Sequence, residues 1–281
     1  MRNIYYLLLL IFAISCSSNE SDPSPGFEAS TKQQAPFGSD TVAIKLKSVS
    51  ADNQVVGEYF YANGYLAEHR QYLKNFNSKA HYATGLFKRT DGFPATYEKL
   101  MADYDVDRQY VSNSFLSAVF YRFDAPKTNA ARDVNEVQTM SGNTYSRRFL
   151  FDRLGFVIQQ EVTQKNDESN KYITTYIRDA NSNVSSCWDT KVSDSKKTNR
   201  RAYEYDNHPN PFNKIGVDWK GDISIHTFGT NNITKETVFN ENGGSSITTF
   251  EYKYASGGYP ESVTIVTDNP ASSTAFKFAY Y

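Results

Sequence analysis

A short template recurs along this chain: an aromatic residue, any residue, a second aromatic, then a turn carrying Asp, Asn or Gly. It appears as Tyr59-Phe60-Tyr61 before Asn63-Gly64, and as Phe149-Leu150-Phe151-Asp152 before Gly155. Tyr203-Glu204-Tyr205-Asp206 repeats it, as does Tyr252-Lys253-Tyr254 before Gly257-Gly258. Tyr121-Arg122-Phe123-Asp124, Tyr176-Ile177-Arg178-Asp179, His226-Thr227-Phe228-Gly229 and Phe276-Lys277-Phe278 are looser copies. Over the carboxyl half the copies start at residues 149, 176, 203, 226, 252 and 276. A repeat of that length holds two strands and two turns. Residues i and i+2 share one face of a pleated strand. Each copy therefore places two aromatic rings on one face, and aromatic side chains suit a half-buried sheet. Tyr172-Ile173-Thr174-Thr175-Tyr176 and Ser246-Ile247-Thr248-Thr249-Phe250 alternate in the same way. Asn63-Gly64 is a hairpin turn, because both of its central positions need positive φ. The expectation is an all-β chain, a large antiparallel meander of about 12 strands curled into a barrel-like or half-barrel body.

Two segments break the rhythm. Residues 94–101 (PATYEKLM) combine helix formers with an early Pro, which predicts a short helix or an ordered loop. Residues 125–146 are polar and read as a long loop.

The amino terminus supplies an address. Arg2 precedes an apolar run from Ile4 to Ile14, interrupted only in polarity by Tyr5 and Tyr6, that is too short for a stable bilayer span. The run ends in Ala13-Ile14-Ser15-Cys16, which resembles the lipobox of bacterial lipoproteins, with Ala13 where that pattern prefers Leu. The resemblance implies cleavage before Cys16 and attachment of a diacylglycerol there. Residues 1–15 are thus expected to be a lipoprotein signal peptide, and residues 16–40 the lipidated Cys16 and a flexible Ser- and Pro-rich tether. A single β-rich domain follows over residues 41–281. Asp40-Thr41-Val42 resembles the short O-glycosylation site of Bacteroidota envelope proteins.

Composition excludes several classes. The 281 residues hold 30 basic against 31 acidic side chains, which gives no electrostatic footprint for nucleic acid. Mean hydropathy is −0.60, too polar for a multi-helix membrane protein. Aromatics reach 15%, far more than a disordered chain carries.

The aromatic turn template is similar to YD (Rhs-type) repeats, which build extended sheets, although its spacing here is longer. Together with the lipobox and the run Tyr-Glu-Tyr-Asp-Asn-His-Pro-Asn-Pro-Phe at 203–212, the chain resembles uncharacterised Bacteroidota lipoproteins that carry a domain of unknown function with a porin-like β fold. The resemblance implies a fold and an outer-membrane location, anchored by lipid, and brings no catalytic residues with it.

Motifs for chemistry are sparse. Asp103-x-Asp105-x-Asp107 opens like a calcium loop, but Arg108 stands where Gly is required and Ser114 where Glu is required, so a solvated acidic turn is expected. His69, His81, His208 and His226 show no metal-ligand spacing. Cys187 lies in Ser185-Ser186-Cys187-Trp188-Asp189, with no local signature of a thiol nucleophile, and reads as a small buried apolar side chain. No catalytic residue, metal or cofactor is assigned. The expected function is a non-enzymatic binding or scaffold module held to the membrane through its lipid, with a glycan or peptide as ligand and no nucleic-acid partner. An outer-membrane β-barrel pore is the alternative, since short hairpins, alternation and an aromatic carboxyl end also describe that class. An envelope hydrolase with residues assembled in space is a third reading that no motif supports. Trp188, Tyr203, Tyr205 and Trp219 fall in the stretch richest in Trp and turn residues, and are the expected aromatic lining of a ligand groove.

Overall fold

The structure is a computed structural model describing residues 45–76, 79–90, 93–123, 133–140, 143–151, 156–164, 167–220, 222–268 and 271–281. Cys16, the tether and Asp40-Thr41-Val42 lie outside the described residues.

Described strands follow one another as an up-and-down meander. The first eight are β1 (Leu46–Ala51), β2 (Gln54–Ala62), β3 (Tyr65–Tyr72), β4 (His81–Thr90), β5 (Phe93–Asp105), β6 (Tyr110–Phe123), β7 (Asp133–Met140) and β8 (Asn143–Phe151). The second eight are β9 (Val157–Gln164), β10 (Asp167–Arg178), β11 (Val184–Lys191), β12 (Lys197–Pro209), β13 (Asn231–Phe239), β14 (Ser245–Tyr254), β15 (Pro260–Asp268) and β16 (Ala271–Tyr280). Every neighbouring pair is antiparallel, and β1 pairs with both β2 and β16, which closes the ring. The register at the seam runs from Leu46 opposite Tyr280 to Ala51 opposite Phe276. The meander therefore has 16 described strands where the sequence predicts about 12.

Part of the difference comes from the two segments that lack the aromatic template. Residues 94–101 lie inside β5 rather than in a helix, with Tyr97 opposite Tyr121 of β6. Pairing on both sides overrides the local helix preference, as tertiary context routinely does. Much of the expected loop 125–146 is β7 and the start of β8, whose polar residues pair with each other and with β6 and β9. Asn63 and Gly64 have φ of 51° and 84°, as the hairpin turn requires. Asp52 and Asn53 turn the β1–β2 hairpin in the same way, with φ of 48° and 63°.

Alternation assigns each face. Tyr59, Tyr97, Tyr121, Phe149, Tyr203 and Phe278 all point into the barrel and are buried. Neighbouring rings touch: Phe87 and Tyr97 centroids are 4.5 Å apart, Tyr97 and Tyr121 6.0 Å, Tyr121 and Phe149 6.2 Å. Outward positions carry ion pairs instead, such as Lys235 with Glu204 at 2.8 Å and Lys171 with Glu161 at 3.2 Å. Gly85 is required where it stands, because a Cβ there would sit 2.3 Å from the Tyr97 hydroxyl.

The segment between β12 and β13 leaves the wall and enters the barrel. It contains two short helices, α1 (Pro211–Ile215) and α2 (Ile225–Phe228). Phe212, Ile215, Val217, Ile223 and Phe228 of this plug are buried in the one core cluster. Phe228 packs edge-on to Phe149 and Tyr176, and Phe212 meets Phe278 at 6.0 Å. Further round the wall, Tyr59 donates a hydrogen bond to the Asp218 carbonyl, and Lys99 Nζ donates to the Lys220 carbonyl at 2.7 Å.

Candidate functional site

Even-numbered strands all run towards the end of the barrel that holds both described termini and the root of the plug. Tyr281 donates its backbone N–H to Lys45 there. The opposite end carries the β1–β2, β5–β6, β11–β12 and β13–β14 turns. At the plug's tip Lys220 is exposed, and Asp222 keeps 46% of its side chain accessible while bonded to lumen-facing Lys99 at 2.8 Å. Solvent therefore reaches the plug through the opposite end, which forms an open mouth.

The wall of this mouth is polar along β8 to β13, and its polarity there follows from strand period. On β8 and β10 to β12 a polar side chain occupies the same face two residues beyond the buried lumen residue, towards the mouth, whereas on β2, β15 and β16 that place is taken by Gly57, Ile265 and Phe276. Arg147 follows Phe149 in this way, Tyr172 and Thr174 follow Tyr176, Asp189 and Lys191 follow Cys187, and Arg201 follows Tyr203. Glu236 faces Tyr203 across the β12–β13 pair, and its carboxylate lies 3.5 Å from Arg201 Nη1. Asp189 accepts from Thr174 Oγ1 at 2.6 Å and from Asn199 Nδ2 at 2.9 Å. The Tyr176 hydroxyl donates to Gln160 at 3.3 Å.

Beneath the rim, Cys187 Sγ and the Tyr203 hydroxyl lie 3.6 Å apart. Burial pushes the Cys187 thiol up, against weaker opposing effects from the Tyr203 hydrogen bond and the Arg201 charge. A thiol held protonated is a poor nucleophile. Burial, with Cys187 and Glu236 adding to it, raises Tyr203 far above the ordinary phenol range, and burial raises Tyr176 as well. Both stay neutral donors and acceptors.

On the floor, Asp218 is buried and its carboxyl is pushed up to about 6 by burial and by the neighbouring Asp222 carboxylate. It accepts from the backbone N–H groups of Lys220 at 2.8 Å and Asp222 at 3.1 Å, and from Ser224 Oγ at 2.7 Å. His69 is 1% exposed, and neither ring nitrogen has a hydrogen-bond partner. Burial, and then the Lys99 charge, push it down to about 3, so it is neutral.

The four aromatic candidates do not form one groove. Tyr203 lies in the core below the mouth wall. Tyr205 is deeper towards the plug's root, where its hydroxyl donates to the Val184 carbonyl at 2.9 Å. Trp219 is part of the plug, wedged among Phe212, His226 and Phe276 with its His226 contact at 4.4 Å. Trp188 follows inward-facing Cys187 by one residue, so it sits on the outer wall beneath the Lys197 ammonium, 4.9 Å from its ring centre. The reason is parity: proximity along the sequence says nothing of which face a strand residue takes.

Asp103, Asp105 and Asp107 lie at the β5–β6 hairpin, where Asp105 Oδ1 accepts from the Arg108 backbone N–H at 3.0 Å. The mouth residues Arg147, Gln160, Asp189, Arg201 and Glu236 escape motif reading because five strands contribute them. For Arg147 and Arg201 the available trace is an offset of two from Phe149 and Tyr203 of the repeating template, and for Asp189 the same offset from Cys187.

The run 203–212 owes its composition to the entry of the plug. Asp206 accepts from the backbone N–H groups of His208 at 2.9 Å and Asn232 at 3.2 Å, and from the Tyr254 hydroxyl. His208 stacks on Tyr254 at 3.7 Å. Asn210 caps α1 by accepting from Phe212 N at 3.0 Å, and its Nδ2 donates to the His226 and Gly229 carbonyls at 2.6 and 3.0 Å. Pro211 opens α1, where its missing N–H costs nothing.

No family model matches the chain, and no curated protein matches it. Two solved structures are similar in strand arrangement. A porin-like protein from Bacteroides uniformis shares 8% identity at a TM-score of 0.44, covering 88% of this chain and 100% of that one. A porin-like protein from Bacteroides vulgatus shares 14% identity at a TM-score of 0.40, covering 84% of this chain and 98% of that one.

Proposed function

We propose that the chain is a lipid-anchored, non-enzymatic binding module of the cell envelope, a water-soluble β-barrel that presents its open mouth to a ligand. The observation that carries this reading is the polarity of the wall. A barrel that spans a membrane turns an apolar band outwards and keeps a polar interior. Here the interior holds the aromatic core and the plug, while outward positions on β2, β3, β9, β10, β12 and β13 carry Glu58, Arg70, Glu161, Lys171, Glu204 and Lys235. A charged residue facing hydrocarbon costs roughly 2–4 kcal/mol each near the midplane. That count weighs against the pore alternative. Against a thiol-dependent hydrolase stands Cys187, whose thiol is held protonated by burial.

The anchor rests on the apolar run Ile4 to Ile14 and on Ser15-Cys16. Two acyl chains hold a protein at a membrane, so the barrel need not insert. Outer-membrane placement, lipidation of Cys16 and a glycan or peptide as ligand belong to the same proposal. In cells, Cys16→Ala is expected to abolish acyl labelling and move the protein into soluble fractions. Full-length protein added to planar bilayers is expected to give no conductance steps. Retention of Cys16→Ala in high-salt-washed membranes, or stepwise conductance, would overturn the reading.

A further inference from the structure

We propose that the end of the barrel opposite the mouth is a membrane-docking surface, and that Arg89 and the cavity beside it take the phosphate of an anionic lipid headgroup. The inference rests on the lipid anchor of the proposed function and assigns what the barrel itself touches once it is tethered.

Placement comes first. Residues 17–44 separate Cys16 from the described chain, which enters the barrel at Lys45, beside Tyr281 and away from the mouth. A linker of that length spans on the order of 30 Å. It holds this end near lipid at an effective concentration of order millimolar, so weak contacts suffice.

Charge and aromatic surface come second. The sector is made by the start of β1, the β2–β3 hairpin, the end of β4 and the end of β16. Its stretches 45–47, 60–67, 87–90 and 278–281 hold Lys45, Lys47, Lys88 and Arg89 and no Asp or Glu. Counting the terminal carboxylate of Tyr281 and Asp91, which lies outside the described residues, the sector stays cationic, four charges against two. Lys45 Nζ lies 5.6 Å from the Tyr61 ring centre, Lys47 Nζ 5.4 Å from that of Tyr281, and the Arg89 guanidinium 4.7 Å from that of Tyr65. Tyr281 is 67% exposed. Tyrosines flanked by Lys and Arg settle at headgroup level, with the rings towards the acyl chains and the cations in water. The β5–β6 turn at the mouth also exposes Tyr104, Val106 and Tyr110. There Asp103, Asp105 and Asp107 outnumber Arg108, and an anionic surface repels them.

The cavity comes third. A cavity of about 580 Å³ opens beside the β2–β3 turn and the end of β4, with Asn63, Tyr65, Leu66, Phe87 and Arg89 in its lining. Such a volume is that of a small-molecule site. Arg89 is half-buried, lies over Phe87 at 5.6 Å as well as over Tyr65, and donates from Nη2 to the Leu66 carbonyl at 3.4 Å. The two rings set the plane of the guanidinium. A guanidinium held in plane meets phosphate edge-on with parallel N–H donors, which an ammonium does not do. Leu66 and Phe87 supply an apolar wall for the glycerol and first methylenes of a lipid, which a free anion would leave wet.

The test places the acylated full-length mature protein in nanodiscs of phosphatidylcholine, with and without phosphatidylglycerol, and compares backbone hydrogen exchange. Phosphatidylglycerol is expected to slow exchange at residues 62–65 and 279–281 by about fivefold or more, the effect of one cation at an anionic surface. Residues 105–110 and 192–196, at the mouth, should be unaffected. High salt should remove the slowing. Arg89→Ala should abolish the slowing at 62–65. Arg89→Lys, which keeps the charge and loses the planar fork, should do the same with the melting temperature kept, and it separates phosphate recognition from folding. Lys45→Gln combined with Lys47→Gln should abolish the slowing at 279–281. Equal exchange in the two discs, slowing at the mouth instead, or undiminished slowing in Arg89→Lys would each overturn the proposal. Slowing at 62–65 by soluble glycerol phosphate without lipid would assign the cavity to a free anion and overturn it too. Acyl labelling and fractionation of Cys16→Ala test the anchor by itself, so the two failures are distinguishable.

Discussion

Asp218 and His69 both lie buried against Tyr59 in the core of this barrel and respond to pH in opposite senses. Asp218 is buried with its carboxyl raised from 3.8 to about 6. The folded protein keeps that proton while the unfolded chain gives it up. The contribution of Asp218 to stability is therefore greatest below pH 4, and it is lost as pH rises through about 6. His69 is held neutral, with its imidazole depressed from 6.5 to about 3. Its contribution is complete above pH 6.5, and it is lost as pH falls from there towards 3. Asp218→Asn keeps an oxygen for the Lys220 and Asp222 N–H groups and an amide for Ser224. It is expected to stabilise the protein at pH 8 by on the order of 2 kcal/mol and to remove the decline between pH 4 and 6. His69→Leu should flatten the acid limb instead. Thermal melts of the two variants from pH 4 to 8 check both, and parallel shifts of the whole curve would show that neither group titrates as described. None of this is legible in the sequence, because each shift comes from burial by strands and a plug that are distant in the chain.

Among the elements, the plug is where sequence and structure diverge most. The strands were readable because alternation needs only i and i+2, and Tyr59, Phe149, Tyr203, Phe250 and Phe278 all face inward as the aromatic template requires. One of its copies misled in kind. His226-Thr227-Phe228-Gly229 fits the template but forms α2, since Ser224 caps a helical turn there and Phe228 inserts between Phe149 and Tyr176. The charged, template-free stretch 94–101 looked helical and is strand, because β4 and β6 supply its hydrogen-bond partners. Mouth residues were illegible for a related reason: Arg147, Asp189, Arg201 and Glu236 converge only once the ring closes. Asn210 ties the start of the plug to its end through one accepted and two donated hydrogen bonds. Asn210→Ala is expected to cost roughly 2–4 kcal/mol, the loss of a helix cap together with two buried carbonyl partners. Denaturant unfolding with an unchanged slope would read that cost directly. Asn210→Asp keeps the cap but sets a buried carboxylate oxygen against the His226 and Gly229 carbonyls, and should cost at least as much as Asn210→Ala.

For the whole molecule, the polarity of the wall makes the plug part of the core rather than a stopper. In a barrel surrounded by lipid, removing a plug opens a channel, since the outer band still holds the wall in place. This barrel has its apolar side within, and five plug residues, Phe212, Ile215, Val217, Ile223 and Phe228, share that core with Tyr59, Phe149, Tyr176 and Phe278. Burying one such side chain is worth roughly 1.5–3 kcal/mol, so five together approach the roughly 5–15 kcal/mol by which a domain is stable at all. Replacement of residues 211–229 by a short Gly/Ser loop is therefore expected to give no open pore and no native barrel. The variant should lose its cooperative thermal transition and near-ultraviolet aromatic dichroism while retaining strand signal in the far ultraviolet, and it should bind a hydrophobic dye. A cooperative transition near that of the intact chain, or conductance gained by the loop-replaced protein in a planar bilayer, would mean that the wall stands without its contents. The aromatic lumen would then have to be read as a passage.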